Sequence, residues 1–311
     1  MKKSILLFII LGILVFIACS NSTTNKSKIT DNQPINDTRK PKKTPSENFK
    51  KYWYAGEAEI TSYELEQARY GEIRKGTSVL IYVTEDFLPK EQVKADDQYS
   101  KNIPVLKLNA TKKFNTGIYP YSIMQSTFYP VADNRHAIKV SSSMQEWCGH
   151  VYAQLNNRKE FEVLSHSYFE NEADQQFKLE KTTLENEIWT KIRINPKGLP
   201  QGEIQVIPSF EFCRLKHKEI KAYKARASLQ KGDTTNIYTL EYSELERSIS
   251  ITFTNTFPYE IQGWSETFIS GFGVNAKQLT TKATKISKIK SAYWGKNSNN
   301  DEVLRTKLKL K

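Results

Sequence analysis

Tyr238-Thr239-Leu240-Glu241-Tyr242, followed after Ser243-Glu244-Leu245-Glu246 by Ser248-Ile249-Ser250-Ile251-Thr252-Phe253-Thr254, is the stretch whose periodicity decides the fold. Apolar and polar residues alternate strictly in both arms, and a strand places successive side chains on opposite faces. A four-residue linker between two such arms predicts an antiparallel hairpin with one buried face.

The same period recurs on either side. Trp147, Gly149, Val151, Ala153 and Leu155 share an alternating face, and Leu304, Thr306, Leu308 and Leu310 alternate with Arg305, Lys307, Lys309 and Lys311. The last pattern reads as a terminal strand whose lysines would protect a sheet edge. From Tyr52-Trp53-Tyr54 onward the chain is rich in aromatic and β-branched residues, the material of a half-buried sheet. Helix signals are scarce. The best lies over 183–193, where Thr182 and Glu185 have capping-box spacing, Leu184, Ile188, Trp189 and Ile192 recur at helical spacing, and Asn195-Pro196 and Gly198 stop the run. Its apolar stripe, Trp189 included, is expected to pack on a sheet. The fold class is therefore mainly β, an antiparallel sheet curled into a half-barrel or sandwich with about one docked α-helix. No repeat of propeller or solenoid length is present. Residues 52–311 read as the β-rich domain, with a possible subdivision near 171–183, the most polar interior stretch.

The first twenty residues carry a different message. Lys2 and Lys3 precede an apolar run of 13 residues, Ile5 to Ile17. That is a secretory h-region, too short for a bilayer span of roughly 20 residues. It ends in Phe16-Ile17-Ala18-Cys19, which resembles the lipobox of bacterial lipoproteins, departing from it only in Phe16 where leucine is usual. The resemblance implies cleavage between Ala18 and Cys19, removal of residues 1–18 as a signal peptide, and acylation of Cys19. Two or three acyl chains on one cysteine would hold the chain to a membrane durably, where one chain would not. Ser20, in place of an acidic residue, implies sorting to the outer membrane, and the acid-free stretch 20–28 favours its periplasmic face.

Residues 19–51 hold eight basic and three acidic residues, and Ile29, Ile35 and Phe49 are their only large apolar side chains. Such a segment reads as a disordered basic tether with a reach of roughly 30 Å. Residues 277–311 hold ten basic residues against Asp301 and Glu302, so the stretch between these two segments is slightly acidic. The formal net charge of +12 thus sits in a tether and a tail, and with an export signal it does not point to nucleic acid. The partners implied are a membrane through covalent lipid, and an envelope protein, lipid or glycan.

Few residues suggest further chemistry. Cys148 and Cys213 are a candidate disulfide in an oxidising compartment, closing a loop worth roughly 4 kcal/mol, with two buried free thiols as the alternative. Glu146-Trp147-Cys148-Gly149-His150 is the most enzyme-like string, since a strand would put Cys148 and His150 on one face. It matches no nucleophile signature. His136, His150, His166 and His217 lack zinc-ligand spacing, and no phosphate-cradling or nucleophile-elbow glycine motif occurs, so no metal, no cofactor and no catalytic residue is assigned. Gly271-Phe272-Gly273 reads as a turn after 264–269. Trp53, Tyr54, Tyr119, Tyr121, Phe128 and Tyr129 are the densest aromatic group, read as core rather than a binding platform.

Tyr52–Tyr70, Phe114–Met124, Gln145–Asn157 and Phe257–Glu266 are similar to a family of uncharacterised lipoproteins, some named septum formation inhibitor Maf. Maf proteins proper are nucleotide pyrophosphatases with an S-P-R-R motif near the N-terminus. That motif does not occur here, so the resemblance implies a lipoprotein and not that activity. The functional expectation is a non-enzymatic envelope module that binds or assembles, with an envelope hydrolase of unrecognised active site as the alternative.

Overall fold

The computed structural model describes residues 40–310. The expected signal peptide (1–18), Ala18, Cys19 and most of the expected tether lie outside the described residues. Helix α1 (Glu47–Trp53) leads into β1 (Ala58–Arg69), β2 (Glu72–Leu88), β3 (Val93–Lys94), β4 (Ile103–Thr116), β5 (Tyr119–Pro130), β6 (Lys139–Glu146), β7 (Gly149–Asn157), β8 (Phe161–Ser167) and β9 (Gln175–Leu179). Then come β10 (Thr183–Leu184), α2 (Glu185–Ile194), β11 (Gly202–Ile207), α3 (Phe210–Leu215), β12 (Tyr223–Lys231), β13 (Thr235–Tyr242), β14 (Arg247–Thr254), β15 (Ile261–Ser270), β16 (Lys277–Ser291) and α4 (Val303–Lys307).

All strands belong to one sheet, in the order β10-β11-β12-β13-β14-β15-β16-β1-β2-β4-β5-β6-β7-β8-β9, with β3 beside β2. Every pairing is antiparallel except β10 with β11. The hairpin of the opening stretch is β13–β14: Tyr238 faces Ile251, Leu240 faces Ile249, and Glu246 closes the turn with a left-handed φ of 46°. β9 and β10 are the two edges of the sheet, yet Leu179 and Thr183 are only four residues apart. At about 3.3 Å per residue the edges approach within roughly 13 Å. The sheet is therefore curled into an unclosed barrel. Residues 171–183 hold the end of the β8–β9 turn, β9, and the crossing from one edge to the other.

α2 fills the inside of the curl. Ile188 and Ile192 are fully buried with Leu80, Tyr63 and Phe253, while Trp189 stands edge-on to Trp264 at 5.1 Å between centroids. A second core of Tyr129, Leu155, Phe161, Leu184, Ile207 and Phe210 joins the two sheet edges. The helix begins two residues later than the 183 expected, and Thr182 does not cap it. Glu187 reaches back instead, accepting from Leu184 N at 3.4 Å, and Glu185 turns inward.

Two expectations are corrected. Residues 299–307 form a 3-10 turn and α4, not a strand. Leu304 and Leu308 satisfy i,i+4 as well as period two. Asp301 accepts from Ser298 N at 3.1 Å to start the helical course, and Leu308 buries against Ala58, Ile60 and Val83 on the outside of the sheet. Regular structure is also present before Tyr52: α1 is capped by Ser46, which accepts from Phe49 N at 3.2 Å, and buries Phe49 and Trp53, again an i,i+4 pair.

Candidate functional site

The interior alternation places Arg247 in phase with Ile249, Ile251 and Phe253 on β14, and Glu266 in phase with Trp264 and Phe268 on β15. These positions face α2 and α3, so charged side chains stand where the pattern otherwise calls for apolar ones. Arg247 Nη1 and Nη2 donate to Glu185 Oε2 and Oε1 at 2.5 and 2.7 Å, and its Nε donates to Glu266 Oε1 at 2.6 Å. Tyr242 Oη also donates to Glu185, at 2.7 Å. Across the same space Lys112 Nζ donates to Glu211 Oε1 at 2.6 Å and Gln125 Nε2 to Glu211 Oε2 at 2.9 Å.

Arg247, Glu185, Glu266, Lys112, Gln125 and Glu211 line a cavity of about 40 Å³, together with Asn186, Trp189 and Trp264. One water needs ~10–15 Å³, so the space suits two or three waters and not an acyl chain or a sugar ring. The electrostatics are opposed at its two sides. Burial pushes the Glu185 carboxyl up, but the Arg247 charge and its hydrogen bonds outweigh this and hold it below the usual range. At Glu211 burial wins over Lys112, and the carboxyl is raised. The hydroxyls of Ser78, Thr127 and Ser209 reach the lining, but no imidazole or thiol does. Ser209 Oγ is committed to capping α3, accepting from Phe212 N at 3.2 Å. The cavity offers neutralised charges and no nucleophile paired with a free base.

The residues singled out from sequence are not brought together. Cys148 and Cys213 are free thiols, so the candidate disulfide is corrected. Cys148 is exposed in the two-residue turn between β6 and β7, whereas Cys213 is buried in α3 under a sheet face. In the turn, not in a strand, Cys148 does not share a strand face with His150. The nearby Glu146 carboxylate, which accepts from Cys148 N at 2.7 Å, raises the thiol above its ordinary value and so disfavours the thiolate. Burial pushes Cys213 up to about 12. Of these two cysteines, a thiol reagent at pH 7.5 should therefore modify Cys148 in the native protein, slowly and faster as pH rises, and Cys213 only after unfolding. Mass spectrometry of the labelled peptides checks this; a native chain with no reactive thiol would contradict it.

His136, His166 and His217 each pair with a separate carboxylate, Glu187, Asp174 and Glu172, and His150 stands exposed. Among the described residues no group of three or more His, Cys, Asp or Glu is placed to hold a metal ion. Of the dense aromatic group, Trp53, Tyr121 and Tyr129 are core, Tyr54 is exposed, and Tyr119 and Phe128 are half-buried. Gly271-Phe272-Gly273 is the turn expected, with left-handed φ values of 90° and 52° at the two glycines.

No protein-family model matches the chain, and no curated protein matches it. Among solved structures it is similar to a beta-barrel-like protein of a domain of unknown function from Brucella abortus. That likeness has 7% identity and a TM-score of 0.39, covering 75% of this chain and 98% of that one. A porin-like protein from Bacteroides uniformis is similar at 9% identity and a TM-score of 0.21, covering 73% and 96% of the two chains.

Proposed function

We propose that this chain is an envelope lipoprotein, cleaved between Ala18 and Cys19, acylated on Cys19, and tethered through its basic N-terminal segment. Its curled β-domain acts as a non-enzymatic binding or assembly module for a lipid, a glycan or an envelope protein. The observation that carries the binding reading is the content of the interior. The sheltered space is about 40 Å³, too small for such ligands, and its charges are already neutralised by one another, so recognition falls to the outer surface. The lipoprotein reading rests on the h-region, the two lysines before it and the Phe16–Cys19 motif. The outer membrane is the destination favoured by Ser20.

Radiolabelled palmitate fed to expressing cells should enter the full chain and partition it with membranes. Cys19→Ala should remove both the label and the membrane association. A wild-type chain that stays unlabelled and in the soluble fraction would overturn the proposal.

A further inference from the structure

Strand direction assigns every turn to one of two ends of the barrel. The turns at 70–71, 117–118, 147–148, 168–174 and 271–276 lie at one end, with α3. The segment entering from the N-terminus arrives at the other: Lys43 N donates to Ala132 O at 3.1 Å, beyond the far end of β5. These five turns carry exposed apolar side chains, whereas the 243–246 turn at the same end buries Leu245 between Glu244 and Glu246. Ile118 is 83% exposed, Trp147 67%, Tyr168 71%, Phe272 62% and Val274 100%. Tyr70 packs on Phe272 with centroids 6.3 Å apart, and Tyr119 packs on Trp147 at 6.4 Å.

Behind Tyr70 and Phe272 lies a buried charge without a counter-charge. Arg69 is 7% exposed. Its Nη1 donates to Leu215 O at 2.7 Å and its Nη2 to the hydroxyls of Tyr70 and Tyr121, at 2.9 and 3.1 Å. Its Nε has no hydrogen-bond partner, and no carboxylate pairs with it among the described residues. Arg69 lines a small cavity of about 10 Å³ with Lys216, Tyr70 and Phe272. Lys216 makes no ion pair with a carboxylate among the described residues; its Nζ donates to Ile269 O at 2.6 Å, and burial together with the Arg69 charge pushes its pKa down. A buried guanidinium left unpaired is expensive, and an anion at the mouth of this space would relieve it. The sector of the rim next to it has the same sign, in contrast to the 168–174 turn, which holds Glu170, Glu172 and Asp174. Residues 69–75 and 270–277 contain Arg69, Arg74, Lys75 and Lys277 against Glu72 alone.

We propose that this rim docks on an anionic phospholipid surface, with Tyr70, Phe272 and Val274 entering the interface and Arg69 and Lys216 receiving a headgroup phosphate. Projecting aromatic tips suit a bilayer interface, which yields to separate points where a folded partner would have to supply a matching socket. The basic flanks supply the attraction to anionic headgroups. The proposal takes its compartment from the envelope reading above, and the rim lies at the opposite end of the sheet from Lys43.

The test uses the full chain carrying Val274→Trp, a fully exposed site, and reads the emission added relative to the parent chain. It is mixed with vesicles of phosphatidylglycerol or of phosphatidylcholine, each brominated on the acyl chains. The added indole should shift to the blue and lose at least half its emission in phosphatidylglycerol, and do neither in phosphatidylcholine. The doubly substituted Lys75→Gln/Lys277→Gln, both exposed, should weaken the response on the order of 20-fold in lipid concentration. Arg69→Gln should weaken it too; if that variant loses its β circular dichroism, the exposed lysine pair alone decides. Absence of quenching in phosphatidylglycerol, equal quenching in both lipids, or indifference to the lysine pair would each overturn the proposal. Inorganic phosphate at millimolar concentration should not reverse the response; reversal would mean the rim reads the free anion and not the surface. A chain labelled at Cys19 but unquenched at Val274→Trp defeats this inference and leaves the lipoprotein reading standing, and the converse result does the opposite.

Discussion

Arg247→Met will destabilise the protein by about 3–5 kcal/mol at neutral pH, because it strands two buried carboxylates at once. Glu185 and Arg247 are both 1% exposed in their side chains, and Glu266 is 10% exposed. Arg247 also lies over the Phe212 ring at 4.1 Å, so it packs α3 as well as neutralising charge. For a domain of this size the loss corresponds to a fall in Tm on the order of 10 °C or more. The pH dependence follows from the sign of the Glu185 shift. Its folded pKa is depressed, so in the wild type its contribution is present above the ordinary carboxylate pKa and fades as pH falls. In the variant the stranded carboxyls bury best when protonated, so acid favours its folded state. The gap between the two proteins should therefore be widest near pH 7.5 and narrow below about pH 4.5. Urea unfolding at both pH values measures it, and a gap that is absent or widens in acid would refute the assignment. Replacing all three residues with apolar ones of similar volume should recover much of the loss, since the cost lies in the uncompensated charge.

Glu59→Gln is expected to cost about 3 kcal/mol through the other buried pair. Arg193 Nη1 and Nη2 donate to Glu59 at 2.6 and 2.8 Å, Arg193 Nε donates to Pro258 O at 2.9 Å, and the Tyr52 hydroxyl also donates to Glu59. The guanidinium lies against two neighbouring rings, 4.9 Å from the Trp53 centroid and 4.7 Å from that of Tyr82. Burial pushes Glu59 up, but the Arg193 charge and these hydrogen bonds outweigh it and bring the pKa from 4.5 down to about 2. A depressed folded pKa stabilises above the unfolded value and is lost as pH falls through the folded one. The wild type should therefore hold roughly 3 kcal/mol over the variant from pH 5 to 8 and lose it between about 4.5 and 2. Because this pair ties α1 and α2 to β1, the variant should also be cut sooner by trypsin at Lys50 and Lys51 under native conditions. Identical acid profiles for the two proteins would count against the pairing.

Much of the architecture was legible in local pattern. Period two at Tyr238–Tyr242 and Ser248–Thr254 predicted the β13–β14 hairpin in its correct face, and the Asn195-Pro196 stop ended α2 within two residues of the place expected. The failures share a cause: spacing compatible with two structures. Leu304 and Leu308 fit both periods, and the choice went to helix because the outside of β1 and β2 presents Ala58, Ile60 and Val83 to be covered. Phe49 lay in a stretch of tether composition, but its four-residue spacing to Trp53 behind the Ser46 cap was enough to dock a short helix. The interior charges were visible only as Arg247 in phase with Ile249 and Ile251, a polar residue at a core position.

The sequence by itself determined the local alternation of strands and the helix α2 inside the curl, since both follow from side chains two to four residues apart. It also determined the export and acylation expectations at Ala18 and Cys19, which are properties of a linear motif. Tertiary structure alone decided that Leu179 and Thr183 bring the two edges of the sheet back together. It alone paired Glu185 with an arginine 62 residues away, separated Cys148 from Cys213, and gathered the tips of five turns on one rim. Those outcomes depend on the curl accumulated over the whole sheet, where each strand pair adds its own twist and no short window of residues contains the total.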